Sequence, residues 1–208
     1  GVQAVAALTF EVAPRTVHAI IGPNGAGKTT LLTLPTGIYR PDAVRITLAG
    51  RDFTGLPTHR WGAAGLGRTF QNLQIFFNMS ALDNVMVGRH LRERCELLPS
   101  LLRTPALVRT EAACQAHARE LMHRVGLDAY LDARADGMPY GALKRLEIAR
   151  ALATRPQLML LDEPAAGLNP TEALELDDLI CKLTGRGVTV VLVEHNMRLV
   201  MGVSDHIL

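Results

Sequence analysis

Short, continuous apolar runs alternate along this chain with stretches in which apolar residues recur every three or four positions. Val17-His18-Ala19-Ile20-Ile21, Leu158-Met159-Leu160-Leu161 and the run from Val188 to Val193 are mostly aliphatic and β-branched. Such runs predict strands buried on both faces of a parallel sheet. Further strands are expected from Val2 to Val12, at Arg45-Ile46-Thr47-Leu48 ahead of Ala49-Gly50, and at Arg68-Thr69-Phe70. Pro14-Arg15 reads as the turn into the strand that begins at Val17.

Helical spacing marks the rest. Leu56 to Ala64 predicts a turn and short helix, Ala81 to His90 a helix, and Leu97 to Pro105 a proline-broken connector. Cys114, Ala118, Leu121 and Val125 share one helix face, with Gly126 placed as the C-terminal cap. A helix opened by Gly141 carries Leu146, Ala149, Leu152 and Ala153, and another spans Thr171 to Leu183. The βα alternation is thus broken between about Asn72 and Arg155 by helices alone. The expected fold is α/β, with a helical subdomain inserted at residues 72–155 of one domain.

Composition narrows the function. The 208 residues are 48% hydrophobic, enough for a sizeable core, and carry 22 basic against 20 acidic residues. A formal charge of +2 with no basic run leaves no electrostatic footprint for nucleic acid. Cys95, Cys114 and Cys181 are far apart and odd in number, which suits a reducing compartment rather than a disulfide framework. No apolar run reaches the ~18 residues of a membrane span, and no secretory signal opens the chain.

The chemistry begins at Gly22-Pro23-Asn24-Gly25-Ala26-Gly27-Lys28-Thr29, with Thr30 following. It matches G-x-x-x-x-G-K-[ST] between a predicted strand and a predicted helix. Glycines let the backbone turn its N–H groups toward phosphate, Lys28 reaches the β- and γ-phosphates, and the Thr29 hydroxyl is suited to Mg²⁺. Pro35 falls where the helix should still run, predicting an early end or a kink. Asp162 ends a buried strand, where a carboxylate can hold Mg²⁺, and Glu163 beside it is placed to act as general base. Alone that pair is a weak signal; with a P-loop upstream it is strong. His195 leaves a parallel strand at its carboxyl edge, in position for a γ-phosphate, and Gln71 ends a short strand where it can meet metal or water.

Together these residues resemble an ABC-type ATPase, and in particular the ATP-binding subunits of branched-chain amino acid importers. The runs GPNGAGKTTLL, GLGRTFQNLQIFFNMSALDNVMVGRH, RLEIARALATRPQLMLLDEPAAGLNP and VLVEHNM carry the resemblance across essentially the whole chain. It implies a P-loop NTPase core of ABC-ATPase type with an N-terminal antiparallel β part, and that Gln71 is the Q-loop glutamine, Glu163 the catalytic glutamate and His195 the switch histidine, with Ala166-Gly167-Leu168-Asn169 as the D-loop. It implies ATP and Mg²⁺ as cofactors, with Thr29, Gln71 and Asp162 at the metal. A second ATP-binding subunit, identical or homologous, would share each nucleotide, and membrane permease subunits would dock on the helical insertion. An extracytoplasmic solute-binding protein would take part indirectly, and the chain would lie peripherally on the cytoplasmic face of the inner membrane.

Departures from the family pattern carry their own expectations. The signature LSGGQ corresponds to Met138-Pro139-Tyr140-Gly141-Ala142, so Pro139, Tyr140 and Gly141 would face the partner's ATP without the usual serine hydroxyl. Arg15 and Val44 stand where glycines are expected at turns. The chain is expected to be truncated at both ends, beginning just after the place of the adenine-stacking aromatic and ending inside a strand. Two other readings stay open at this point: an ABC-type ATPase outside transport, and a cassette that binds ATP with impaired turnover.

Overall fold

The computed structural model describes residues 8–36, 44–89 and 105–208. They fall into two compact units, one of residues 1–71, 156–166 and 170–208, the other of residues 72–155 with 167–169.

The first unit is built on five parallel strands in the order β4-β5-β6-β1-β7. They are β1 (Val17–Ile20), β4 (Leu66–Arg68), β5 (Leu158–Asp162), β6 (Thr189–Val193) and β7 (His206–Ile207). The apolar runs read from the sequence occupy the centre, and every residue of β6 is buried. Ile20 of β1 and Asp162 of β5 both pair with Val193 of β6, so these three strands end level. Because the strands are parallel, the segments that leave them emerge along one edge of the sheet. Ile20, Leu32, Phe53, Trp61, Leu66, Leu160, Val191 and Val193 form a shared core. Helices α1 (Lys28–Thr33), α2 (Thr58–Ala63), α6 (Pro170–Gly185) and α7 (Met197–Val203) complete this unit.

The antiparallel β part is a two-stranded hairpin, β2 (Thr47–Leu48) with β3 (Arg51–Asp52). Its turn residues Ala49 and Gly50 both have positive φ, the backbone twist that tight hairpins favour. The expected strand from Val2 to Val12 is not found over residues 8–12, which are irregular; residues 2–7 lie outside the described residues. An apolar run becomes a strand only when its backbone groups find a ladder partner, and here none pairs with it among the described residues. Helix α1 stops at Thr33 and passes into a 3₁₀ turn at Leu34–Thr36, the early end that Pro35 predicts. Arg15 takes φ 64, as expected for a position suited to glycine, and its N–H donates to Thr189 Oγ1 at 2.9 Å.

Asp177 on α6 is a polar group at odds with its surroundings. Its Oδ1 is buried without a hydrogen-bond partner. Burial pushes its pKa up from the ordinary carboxylate value, Arg198 pulls it down, and Glu194 adds to the rise. A carboxylate whose folded pKa is raised destabilises the fold at pH values where it must ionise. Asp177→Ala is therefore expected to raise the thermal midpoint by about 2 °C at pH 7, helped by alanine's helix propensity. Scanning calorimetry should show the electrostatic part of that gain fading as the pH falls below about 4, where the unfolded carboxyl also takes up its proton.

In the second unit α3 (Ala81–Val87), α4 (Pro105–Arg124) and α5 (Tyr140–Ala153) pack on one another. Ser80 caps α3, accepting from the Asp83 N–H at 3.0 Å, and the helix ends at Val87 with Gly88 as its C-cap, short of the expected His90. Pro105 begins α4 rather than closing a connector, a position that suits its missing N–H; residues 97–104 lie outside the described residues. Cys114, Ala118, Leu121 and Val125 are all buried. Gly126 turns at φ 70, and the Leu127 N–H reaches back to the Met122 carbonyl at 2.8 Å, closing a Schellman cap.

Candidate functional site

The site belongs to the first unit and lies at the edge where its parallel strands end. Strand β1 runs into the glycine loop at residues 22–27, and α1 follows. Gly25 and Gly27 adopt φ 83 and 84, a left-handed backbone that a side chain would strain. Lys28 is only 8% exposed. Its Nζ donates to the Gly22 carbonyl at 2.7 Å and the Pro23 carbonyl at 2.9 Å, so the ammonium lies over the loop. Pro23, Asn24, Gly25, Ala26 and Thr29 are exposed, and Thr30 is half-buried.

Strand β5 delivers Asp162 and Glu163 to the same edge. Asp162 is buried, and its Oδ2 meets Nη2 of Arg68 at 3.5 Å. The Arg68 guanidinium also donates to Leu32 O, Thr33 Oγ1 and Thr36 Oγ1, tying β5 to the end of α1. Burial pushes the Arg68 pKa down, and Asp162 opposes it by favouring the charged form. Glu163 has φ 47, a left-handed conformation that costs a non-glycine residue about 1–2 kcal/mol and marks functional turns. Its carboxylate is held from two sides: Gln71 Nε2 donates to Oε2 at 3.1 Å, and His195 Nε2 lies 3.0 Å from Oε1. The structure thus brings Gln71, Glu163 and His195 into one hydrogen-bonded group, and places Asp162 one residue away.

Two residues without a role in the sequence reading prove central. Arg68 ends the short strand β4, and Glu194 follows the fully buried β6. A charged residue next to a buried run is the signal that could have found them, because such a charge needs partners.

Pro139, Tyr140 and Gly141 belong to the second unit. Pro139 occupies the N-cap of α5 and offers no side-chain cap. Ala142 and Leu143, at positions where polar residues are expected, are buried. The Tyr140 ring lies against Gly167: a Cβ there would sit 3.0 Å from Cε1, and the backbone at φ 79 already favours glycine.

A family model for the ABC transporter matches residues 5–166. This chain belongs to the ABC transporter family. The cassette is 43% identical over 208 residues to the high-affinity branched-chain amino acid transport ATP-binding protein BraF of Pseudomonas aeruginosa, covering all of this chain and 82% of that protein. Its identity to the LivG protein of the same description in Escherichia coli K12 is 40%, with the same coverage. The lipopolysaccharide export system ATP-binding protein LptB of Acidithiobacillus ferridurans is 37% identical, over 95% of this chain and 76% of that protein. Among solved structures, a nucleotide-free ATP-binding cassette from an ABC transporter matches with TM-score 0.84 at 29% identity, over 98% of this chain and 80% of that one. An ABC transporter cassette in its ADP conformation matches with TM-score 0.82 at 28% identity and the same coverage. The α/β architecture with a parallel sheet, an antiparallel pair and helices is that of an ABC ATPase cassette.

Proposed function

We propose that this chain is the ATP-hydrolysing subunit of an ABC importer for branched-chain amino acids. The observation that carries the catalytic part is the group Gln71–Glu163–His195, gathered beside a P-loop at one sheet edge. The solute is supported by 40–43% identity along the whole chain to branched-chain amino acid transport proteins. Residues 22–30 bind the triphosphate: backbone N–H groups of the glycine loop face its oxygens and Lys28 exchanges loop carbonyls for phosphate. Glu163 accepts a proton from the attacking water, and His195 and Gln71 fix the orientation of its carboxylate.

Mg²⁺ fits the donors present. Thr29, Gln71 and Asp162 offer the oxygen ligands that a hard divalent cation takes, and the Asp162 carboxylate already faces a cation in Arg68. Bound there, the ion would neutralise charge on the β- and γ-phosphates. Two cassettes complete each site, with Pro139, Tyr140 and Gly141 facing the partner's nucleotide. The helical subdomain at residues 72–155 receives the permease on the cytoplasmic face of the membrane, and a solute-binding protein selects the cargo. Among the described residues no helix is long and apolar enough to cross a membrane, consistent with peripheral attachment to such a permease.

Uptake of radiolabelled leucine by cells carrying the transporter tests this reading. Lys28→Ala is expected to weaken ATP binding by roughly 10–100-fold, the worth of charge-assisted hydrogen bonds, and to abolish uptake. Undiminished uptake would contradict it.

A further inference from the structure

Strand β6 is buried throughout, so it delivers the residue after it, Glu194, below the surface, where the side chain is only 4% exposed. A carboxylate in that position is costly unless hydrogen bonds satisfy it. Three backbone donors do so. Oε1 accepts from the Ala165 N–H at 2.7 Å; Oε2 accepts from the His195 N–H at 2.9 Å and the Asn196 N–H at 3.2 Å. The first two are short, and together the three bonds join two different loops. Ala165 stands two residues after Glu163, and His195 is the residue whose ring meets the Glu163 carboxylate at 3.0 Å. The turn is secured further by the Glu163 N–H donating to Val193 O at 2.9 Å. Glu163 itself holds a left-handed backbone, which persists only where its surroundings over-determine it.

We infer that Glu194 is a positioning residue for hydrolysis, a clamp that sets Glu163 against His195 by holding Ala165, His195 and Asn196 at once. The inference rests on the reading of Glu163 as the base. No neutral isostere replaces it. In Glu194→Gln one oxygen becomes an NH₂ group facing N–H donors, so one of the two loops is released. Glu194→Asp keeps the charge and stays within reach of its own loop, but is one methylene short of Ala165.

The test uses the complete transporter complex with wild-type chain, Glu194→Gln and Glu194→Asp, measuring steady-state phosphate release, ATP dissociation constant and unfolding midpoint. Both variants are expected to lower kcat by roughly 10–100-fold, the effect of misplacing a catalytic group by about an ångström. ATP affinity should stay within about twofold, because the clamp does not touch residues 22–30. Wild-type kcat in either variant overturns the clamp. So does a loss of rate accompanied by an equal loss of ATP affinity and a lowered midpoint, which marks damage to the fold. A wild-type chain that binds ATP without releasing phosphate overturns the reading of Glu163 and the clamp with it.

Discussion

Replacing Glu163 by glutamine is expected to stop ATP turnover while leaving ATP bound. The substitution preserves shape and removes the basic oxygen pair. General-base catalysis by a positioned side chain contributes about 10²–10⁴-fold, and the loss of phosphate release should fall in that range. Binding is expected to be spared because, in the proposed reading, it rests on other groups: the glycine loop, Lys28 and the start of α1. The structure adds a reason for selectivity. Glu163 Oε1 and Oε2 face His195 and Gln71 separately, so a glutamine must set its NH₂ group against one of them. Filter-bound radiolabelled ATP and phosphate release, measured on the same complex, separate the two effects.

The second large effect concerns stability. Gly88→Ala should destabilise the fold by about 3 kcal/mol or more, lowering the thermal midpoint of the chain by roughly 6–12 °C. Backbone strain is not the cause, since Gly88 has φ −60, which alanine adopts freely. The cause is contact. An added Cβ would lie well inside van der Waals contact distance of the Arg150 carbonyl oxygen and 2.9 Å from the Ala153 Cβ. Both belong to α5, and the nearer atom is backbone, which yields only if the helix moves. Circular dichroism melts of wild type and variant test this; coincident melts would show that α3 and α5 separate more easily than their packing implies.

Much of the architecture was legible because it follows from local pattern. The central strands are continuous aliphatic runs, and α4 carries a helical stripe ended by a glycine at positive φ. The P-loop, Asp162-Glu163 and His195 were legible as motifs, because each stands at the end of such a strand. What escaped depends on partners distant in sequence. Strand β2 of the hairpin falls within the expected strand at Arg45–Leu48, whereas the two-residue β3 is too short to carry periodicity, and the irregular residues 8–12 look like a strand in composition alone. Arg68 and Glu194 read as ordinary polar residues until the fold shows them buried against Asp162 and against Ala165. Likewise Gly88 and Gly167 look like turn glycines, yet each is also hemmed in by a side chain or backbone of α5.

In the proposed reading the altered signature bears on a partner's nucleotide, whereas Glu163, His195, Gln71 and Lys28 serve this chain's own. The central claim is therefore that this chain's own site turns over ATP. Phosphate release from the complete transporter in proteoliposomes, with wild-type chain beside Glu163→Gln, tests it most directly. The account predicts sustained release from the wild type, with the variant holding ATP and releasing almost none. Bound ATP without release in both would contradict it, and so would equal release from both.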